Sequence, residues 1–484
     1  MIPTAPCICT ILQTRIAIFL RSLLVAVVLS HTPAALALES EAKPLPSTPP
    51  DDTDWTYYCD PSHKVEPTDR LKCIGGKTGS KRQLSISGEL RQRGEYFDHI
   101  RMGEASPSSG YLLQRYILNT DLVLGNRLRL FTGLESGLEN GRVGGPRPGV
   151  DEDQLFFHEA FLQIRSSRER PLIDLRIGRH DLNLGSGRLI SSRELPNVQQ
   201  NFDGARLLVS TLPWQINLLA LKHSENNHGI FDNYPDHAFS VWGIYATRHA
   251  NRDAAPTLDI YYLGIDHKVA TFQAGSGREQ RESVGVRLAE VRGHWDTDSE
   301  ALFQFGTFAY RPIRAWTVTS NSGYTIRSQK GQEIDYRVGL DAGVASGNHN
   351  QTQGAFGTFN ALFPKGAYFG QANFIGPYNI QDLRPSLRVT IPHRRIVIWP
   401  NAEVLWRQSR QDGIYSIPAA LVQAGKATDA LYVGFQADLN IEWKQNRHFA
   451  WMVDGEQLFP GAFLRQTASG KSVTYFAPGI SYRF

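Results

Sequence analysis

Arginine is the residue type whose frequency and spacing could do chemistry in this chain. Of 51 basic residues among 484, 39 are arginines, the side chain whose planar fork grips a carboxylate or phosphate through two parallel hydrogen bonds. Many stand an even number of residues from another charge, which puts both on one face of an extended strand. On that shared parity lie Arg91, Arg93, Arg115, Arg129, Arg165, Arg176, Arg206, Arg287, Arg337, Arg384, Arg388 and Arg407. Interleaved with them are Glu89, Glu95, Asp121, Glu135, Glu159, Asp174, Asp341, Glu403, Asp438 and Glu442. A surplus of forked cations along one wall suggests a track for an anion, and interleaved acids would keep its affinity low enough for release. The bland alternative for any one of them is mutual neutralisation on an inner wall.

Other arrangements carry less. Lys222-His223-Ser224-Glu225 with His228, Asp232 and His237 could be drawn as a hydrolytic or metal cluster, but no spacing fixes a nucleophile, a base and an orienter, so a polar loop is the better reading. Asp151-Glu152-Asp153 could be drawn as a calcium site, but three neighbouring acids in a loop are more often simply solvated. Gly76-Lys77-Thr78 lacks the first glycine of a phosphate-binding loop, since Leu71 stands in its place. No catalytic residue, metal or cofactor is expected. A formal net charge of +4 gives no sign of a nucleic-acid partner.

The elements that must position the arginines are strands. At 431–444, Leu431, Val433, Phe435, Ala437, Leu439, Ile441 and Trp443 are apolar, while Gly434, Gln436, Asp438, Asn440, Glu442 and Lys444 are small, polar or charged. A period of two over about twice the length of an ordinary soluble strand fits a wall between lipid and water. The alternation predicts further strands at 84–96, 111–124, 127–138, 154–165, 172–180, 203–210, 214–223, 238–247, 256–265, 283–291, 300–310, 335–345, 383–391, 395–408, 448–456 and 472–484. Short turns at 125–126, 212–213, 393–394 and 445–447 alternate with long loops at 139–153, 181–202, 224–237 and 346–382. That rhythm fails once, between 311 and 335, and single-chain bacterial barrels have an even strand number. An irregular strand is therefore placed within 315–328, giving an all-β, 18-stranded antiparallel transmembrane barrel with short periplasmic turns and long extracellular loops.

Three segments follow. Residues 1–37 read as a signal peptide, with Arg15 and Arg21 before the apolar run 23–29 and Ala35-Leu36-Ala37 as the cleavage site. Residues 38–82 form a periplasmic extension in which Cys59 and Cys73, exported to an oxidising compartment, form a disulfide. Residues 83–484 are the barrel, ending on the outward-facing aromatic Phe484. Aromatics near strand ends, such as Trp406, Trp443 and Tyr482, suit membrane interfaces.

Certain blocks occur in one order along most of the exported chain. They are Gly178-Arg179-His180-Asp181, Gly187-Arg188-Leu189-Ile190, Arg193-Glu194, Asn197 and Phe202-Asp203-Gly204-Ala205-Arg206. Then come Thr358-Phe359-Asn360, Leu362-Phe363-Pro364, Gly366 with Tyr368-Phe369-Gly370, Trp406-Arg407-Gln408-Ser409, Asp412-Gly413-Ile414-Tyr415, and Phe459-Pro460-Gly461 with Phe463-Leu464. In these blocks the chain resembles the alginate-export family of outer-membrane porins. The resemblance implies a single barrel with an arginine-rich, acid-punctuated constriction that a polyuronate crosses by diffusion. Carried over at matching positions, it implies that Arg179, Arg188, Arg193, Asp203 and Arg206 shape the constriction and that Arg407 stands on a facing wall.

The leading expectation is an outer-membrane channel for passive export of an anionic polysaccharide, alginate or a similar polyuronate. The alternatives are a general or small-anion-selective porin and an outer-membrane barrel enzyme. Expected partners are the polymer, outer-membrane lipid and, as a further candidate, periplasmic export components; the barrel is expected to be a monomer.

Overall fold

A computed structural model of the protein describes residues 55–77, 82–99, 108–147, 149–166, 172–249, 256–328 and 334–484; the expected signal peptide lies outside them. Alternation of apolar and polar residues produces long strands: β1 (Arg82–Asp98), β2 (Ser109–Leu124), β3 (Leu128–Asn140), β4 (Asp153–Arg165), β5 (Leu172–His180), β6 (Phe202–Ser210) and β7 (Trp214–Glu225). They continue with β8 (Tyr234–Arg248), β9 (Thr257–Phe272), β10 (Gly275–Arg292), β11 (Trp295–Phe308), β12 (Arg311–Ile326), β13 (Asp335–Ala345), β14 (Ile380–Ile391) and β15 (Ile396–Arg407). A small hairpin, β16 (Ile414–Tyr415) and β17 (Leu421–Gln423), precedes β18 (Tyr432–Lys444), β19 (Phe449–Pro460), a short helix α1 (Ala462–Thr467) and β20 (Val473–Arg483). Apart from the hairpin, the strands form one 18-stranded antiparallel sheet, each paired with the next, and β1 pairs with β20 to close it into a barrel.

The parity of the sequence becomes the two faces of the wall. Leu90, Leu118, Ile177, Ile244, Val284 and Val338 lie outward and exposed, each more than 40% so. Apolar side chains exposed in this way on most strands form the lipid-facing band of a membrane barrel. The opposite parity of β1, from Gln83 to Phe97, is buried inside.

Three expectations are corrected. The strand expected within 315–328 is present but is not irregular: it is β12, which pairs with β11 from Phe308↔Arg311 to Trp295↔Tyr324. Its period was masked because Ser320 and Ser322 interrupt the lipid-facing row. Their hydroxyls pair with Ser299 and Thr297 across the strand pair, at 2.8 and 3.0 Å, which satisfies them in lipid. Second, not every outer connection is long, since 273–274 and 309–310 are tight turns. Third, Val433 does not face lipid. A bulge shifts the β15–β18 register between Leu405↔Gly434 and Trp406↔Tyr432, so Val433 turns inward and is fully buried.

Below the barrel, short 3-10 turns at Trp55–Cys59, Pro61–His63 and Pro67–Leu71 make up the ordered part of the extension. Cys59 and Cys73 are joined as a disulfide, with Cα atoms 5.1 Å apart. The extension docks on the barrel through Arg447, in the turn between β18 and β19, which donates to both carboxylate oxygens of Asp69 at 3.0 Å and pairs with Glu66 at 2.5 Å. Burial alone raises the pKa of Glu66 and Asp69, but hydrogen bonds and the Arg447 charge outweigh it and hold both below the ordinary carboxylate range.

Carboxylates with depressed folded-state pKa values contribute docking energy that is complete above their ordinary values and is lost as pH falls through the depressed ones. Deuterium uptake over residues 55–77, taken relative to the intrinsic exchange rate at each pH, is therefore expected to rise several-fold in acid, and at neutral pH in an Arg447→Ala variant. Equal uptake in wild type and variant at neutral pH would show that the ion pairs do not hold the extension.

Candidate functional site

An 18-stranded barrel is too wide for its wall side chains to fill, and two long loops fold inward. The loop at 181–201 and the loop at 346–379 meet where Ile190 bridges Phe363 and where Ser191 N–H donates to the Phe363 carbonyl at 2.9 Å. Phe363 packs against Phe202 and Phe239, with ring centroids 5.1 and 4.9 Å away. Phe356 packs on Phe272 and Phe308 at 5.1 and 4.5 Å. These contacts give the outer half of the lumen a side-chain core.

The arginines expected to line the lumen divide into three groups. All of the first but Arg93, which binds wall residues, anchors loops. Arg91 donates to the carbonyls of Glu194 and Pro196 at 3.1 and 2.9 Å, and Arg115 donates to Glu194 O at 2.8 Å while holding Glu89 at 2.6 Å. Arg93 sits among Glu95, Asp454 and the Tyr475 hydroxyl, at 3.1, 3.0 and 2.7 Å. Arg193 donates to Pro364 O at 3.0 Å, tying one inward loop to the other. Arg407 donates to the carbonyls of Arg410, Asp412, Gly425, Thr428 and Ala430 in the outer loop 408–431. The side chains of Arg93 and Arg115 are 1% exposed and Arg407 is fully buried. Buried Glu159 belongs here too, accepting from Asp181 N–H at 3.3 Å. Glu403 is fully buried, and neither of its oxygens is hydrogen-bonded among the described residues.

The second group faces water in the space the loops leave. Arg188, on the 181–201 loop, reaches Asp298 and Glu300 of β11 at 3.1 and 3.4 Å. Arg287 bridges Asp259 and Asp298 at 2.8 and 2.7 Å. Arg384 faces Asp341 at 3.4 Å, and Arg337 pairs with Asp296. The arginines of this group are 13% to 20% exposed, against 1% for Arg93 and Arg115, and that difference marks where solvent reaches. Nearer the periplasmic end, Arg388 lies over the Trp399 ring at 4.8 Å and Arg129 grips Asp121 at 2.6 Å. Arg206 donates to Asn217 at 2.9 Å, and Arg176 lies over Phe161 at 4.9 Å.

The third group is not in the lumen. Arg179 and Asp203 pair across β5 and β6 at 2.9 Å, and they share the parity of the outward, exposed Ile173 and Ile177. Strand parity overrides the motif here. The two form an outer-face ion pair at the rim and do not shape the constriction.

Sequence reasoning missed Asp296, Asp298, Asp259 and Lys365. The acids of β11 were legible, since Asp296, Asp298 and Glu300 alternate, but the expected strand began too late. Lys365 lies in a loop, where no period exists to read. The hydrolytic cluster dissolves as well: Lys222 contacts His237 at 2.9 Å, His223 instead stacks on Phe363 at 5.2 Å, and Ser224 is buried. In the acidic triplet, Asp151 is held by Arg147 at 2.7 Å and Asp153 by Asn233 at 2.6 Å. Among the described residues, no group of three or more His, Cys, Asp or Glu side chains could hold a metal ion.

The sequence profile of the family described as alginate export matches residues 82–477. A search of curated protein sequences returns no match. Among solved structures, the fold resembles Pseudomonas aeruginosa OccK8 (OprE), with 11% identity and a TM-score of 0.53 over 83% of this chain and 98% of that one. P. aeruginosa OccK2 (OpdF) in complex with glucuronate gives 10% identity and a TM-score of 0.54 over 83% and 98%. Acinetobacter baumannii OccAB1 gives 11% and 0.54 over 82% and 96%.

The loop-anchoring role of Arg407 is testable. Arg407→Met leaves five carbonyls without their donor, at about 1–3 kcal/mol for each that stays dry, so residues 408–431 are expected to exchange deuterium freely. Affinity for anions inside the lumen is expected to stay within about twofold, well under the 1.4 kcal/mol that a tenfold change represents. A tenfold loss of anion affinity with the loop still protected would assign Arg407 to the conduit instead.

Proposed function

This chain belongs to the alginate-export family of outer-membrane channels, and from that premise we propose that it passes an anionic polysaccharide, alginate or a similar polyuronate, by passive export through the arginine-bearing gap beside its inward loops. The observation that carries this reading is the state of the water-facing arginines. Arg188, Arg287, Arg337 and Arg384 each hold a wall carboxylate and each keep some solvent exposure. A uronate carboxylate can take the place of Asp298 or Asp341 on a fork without creating an unpaired buried charge, so entry avoids the large cost of stripping an isolated ion. The displaced acid then competes to return, which favours release.

A second reading, a channel for single sugar acids, draws support from the glucuronate in the complex with the similar OccK2 barrel. Ligand length separates the two. A polymer track engages several rungs at once, so affinity grows with each added uronate through raised effective concentration. A one-site channel treats monomer and oligomer alike.

Planar-bilayer recordings with purified protein test the proposal. Uronate oligomers are expected to block current more strongly as they lengthen, neutral oligosaccharides of the same length are not, and Arg188→Gln with Arg384→Gln is expected to weaken oligomer block by about tenfold or more, a loss of about 1.4 kcal/mol. Block that is independent of length would favour the single-sugar reading, and an unaltered block in the double variant would remove these arginines from the path.

A further inference from the structure

Lys365 differs from the acid-paired arginines around it. Its N–H donates to Gly187 O at 2.8 Å, which sets it beside Arg188 where the two inward loops touch. Phe363, two residues earlier, is fixed by Phe202 and Phe239, so the backbone from which Lys365 projects is firmly held. Its Nζ lies 5.9 Å from the Tyr368 ring centroid. Among the described residues no carboxylate lies within ion-pair distance of it, whereas Arg188 has Asp298 and Glu300, Arg287 has Asp259 and Asp298, and Arg384 has Asp341. An ammonium carries three donors and no acceptor, and a half-buried one without a partner is costly. A carboxylate arriving from the lumen relieves that cost.

We propose that Lys365 is the specificity-determining residue of the constriction: it receives the carboxylate of each passing uronate on its free ammonium, while the paired arginines on either side guide the chain. This assignment rests on the polyuronate reading above and adds to it the point of capture.

The groups facing Lys365 give the assignment a distinctive signature. Arg188 faces it from the neighbouring loop, Arg384 from β14, Asp341 from β13, Asp298 from β11 and Tyr368 from its own loop. Burial, joined by the charges of Arg188 and Arg384, pushes the Lys365 ammonium down to about 8, with Asp341 and Asp298 acting in the opposite sense. Ammonium charge is complete below that value and disappears as pH rises through it, while an arginine stays charged throughout. Capture at Lys365 therefore weakens in mildly alkaline solution, and capture by arginine does not.

The test uses the full-length protein in planar bilayers, with a defined uronate oligomer as blocker and a neutral oligosaccharide of equal length as control, from about pH 6.5 to about pH 9. Wild type is expected to lose about tenfold in uronate block over that range, as one pH unit of titration represents. Lys365→Met is expected to show the weak block at every pH. Lys365→Arg is expected to keep strong block with no pH dependence, which a structural role for the lysine would not produce. Heat-modifiable mobility of each variant confirms a closed barrel, and the arginine variant keeps the test decisive if the methionine variant fails to assemble. A Lys365→Met channel that blocks and titrates like wild type, or an arginine variant that still titrates, overturns the assignment while leaving the polyuronate reading standing. If the wild-type channel shows no preference for the uronate over the neutral chain at any pH, both fall together.

Discussion

A strand that crosses lipid has no water to satisfy its N–H and C=O groups, so every one of them must find a partner within the wall. The rest of this structure follows from that demand. Each strand pairs with the next, and β1 must return to β20 so that no edge remains. Closure is incomplete at one place, because β1 starts at Arg82 but first pairs with β20 at Glu89↔Arg483. The C-terminal residue continues the seam, with Phe484 and Gly88 exchanging two hydrogen bonds of 3.1 Å. Below it the extension takes over: Ile74 and Leu84 exchange hydrogen bonds of 2.6 and 3.1 Å, and Cys73 N–H reaches Ser85 Oγ at 3.0 Å. The disulfide-bearing segment thus completes an edge that the barrel's own strands leave open, and the 14-residue separation of its cysteines is short enough to keep that patch in place.

Closure with 18 strands creates a second demand, since the enclosed space is too large for the wall to fill. Two loops supply the missing volume, and they bring backbone carbonyls with them. Buried carbonyls need donors, and an arginine on the wall offers five in a rigid fork. Arg91, Arg115 and Arg193 are used up in this way, and Arg407 serves the outer loop 408–431 likewise. Their abundance therefore reflects the architecture of the plug before it reflects any ligand. Where the loops stop short, along β10, β11, β13 and β14, inward arginines meet water with carboxylates for partners.

This division explains what the sequence could reveal. Strand existence was legible because lipid enforces apolar side chains at every second position, and a one-residue error would put charge into the membrane. The faces of Arg91, Arg287 and Arg384 followed from the same rule. Strand ends were less legible where β9 and β10 rise beyond the apolar band and the outward residues become polar, as at Arg278 and Lys268. Bulges escaped notice because they reset parity locally, as at Val433. The work done by each inward arginine was not legible at all. Parity gives a side chain's direction, but whether it meets a carbonyl or water depends on how 181–201 and 346–379 fold, and no period governs those loops. For the same reason Lys365 stayed invisible, and Arg179 was misplaced when motif position was weighed above strand parity.

Affinity in such a conduit is set by what an incoming carboxylate displaces. Two unit charges 4 Å apart attract by about 1 kcal/mol in water and by about 4 kcal/mol near a protein surface. A row of bare arginines would add several such terms along a polymer and hold it fast. When each arginine already carries a carboxylate, as Arg188 does with Asp298, the incoming group gains only the difference between two similar pairs, and that difference can be close to zero. On the proposed function, a polyanion would slide from rung to rung over a nearly level path. Selectivity survives because a neutral chain cannot replace the displaced acid at all, and an anion too short to span two rungs forfeits the advantage of simultaneous contacts. A wall of paired charges, which in composition alone looks like self-cancellation, is for this reason better suited to passing a polyanion than a wall of arginines without acids would be.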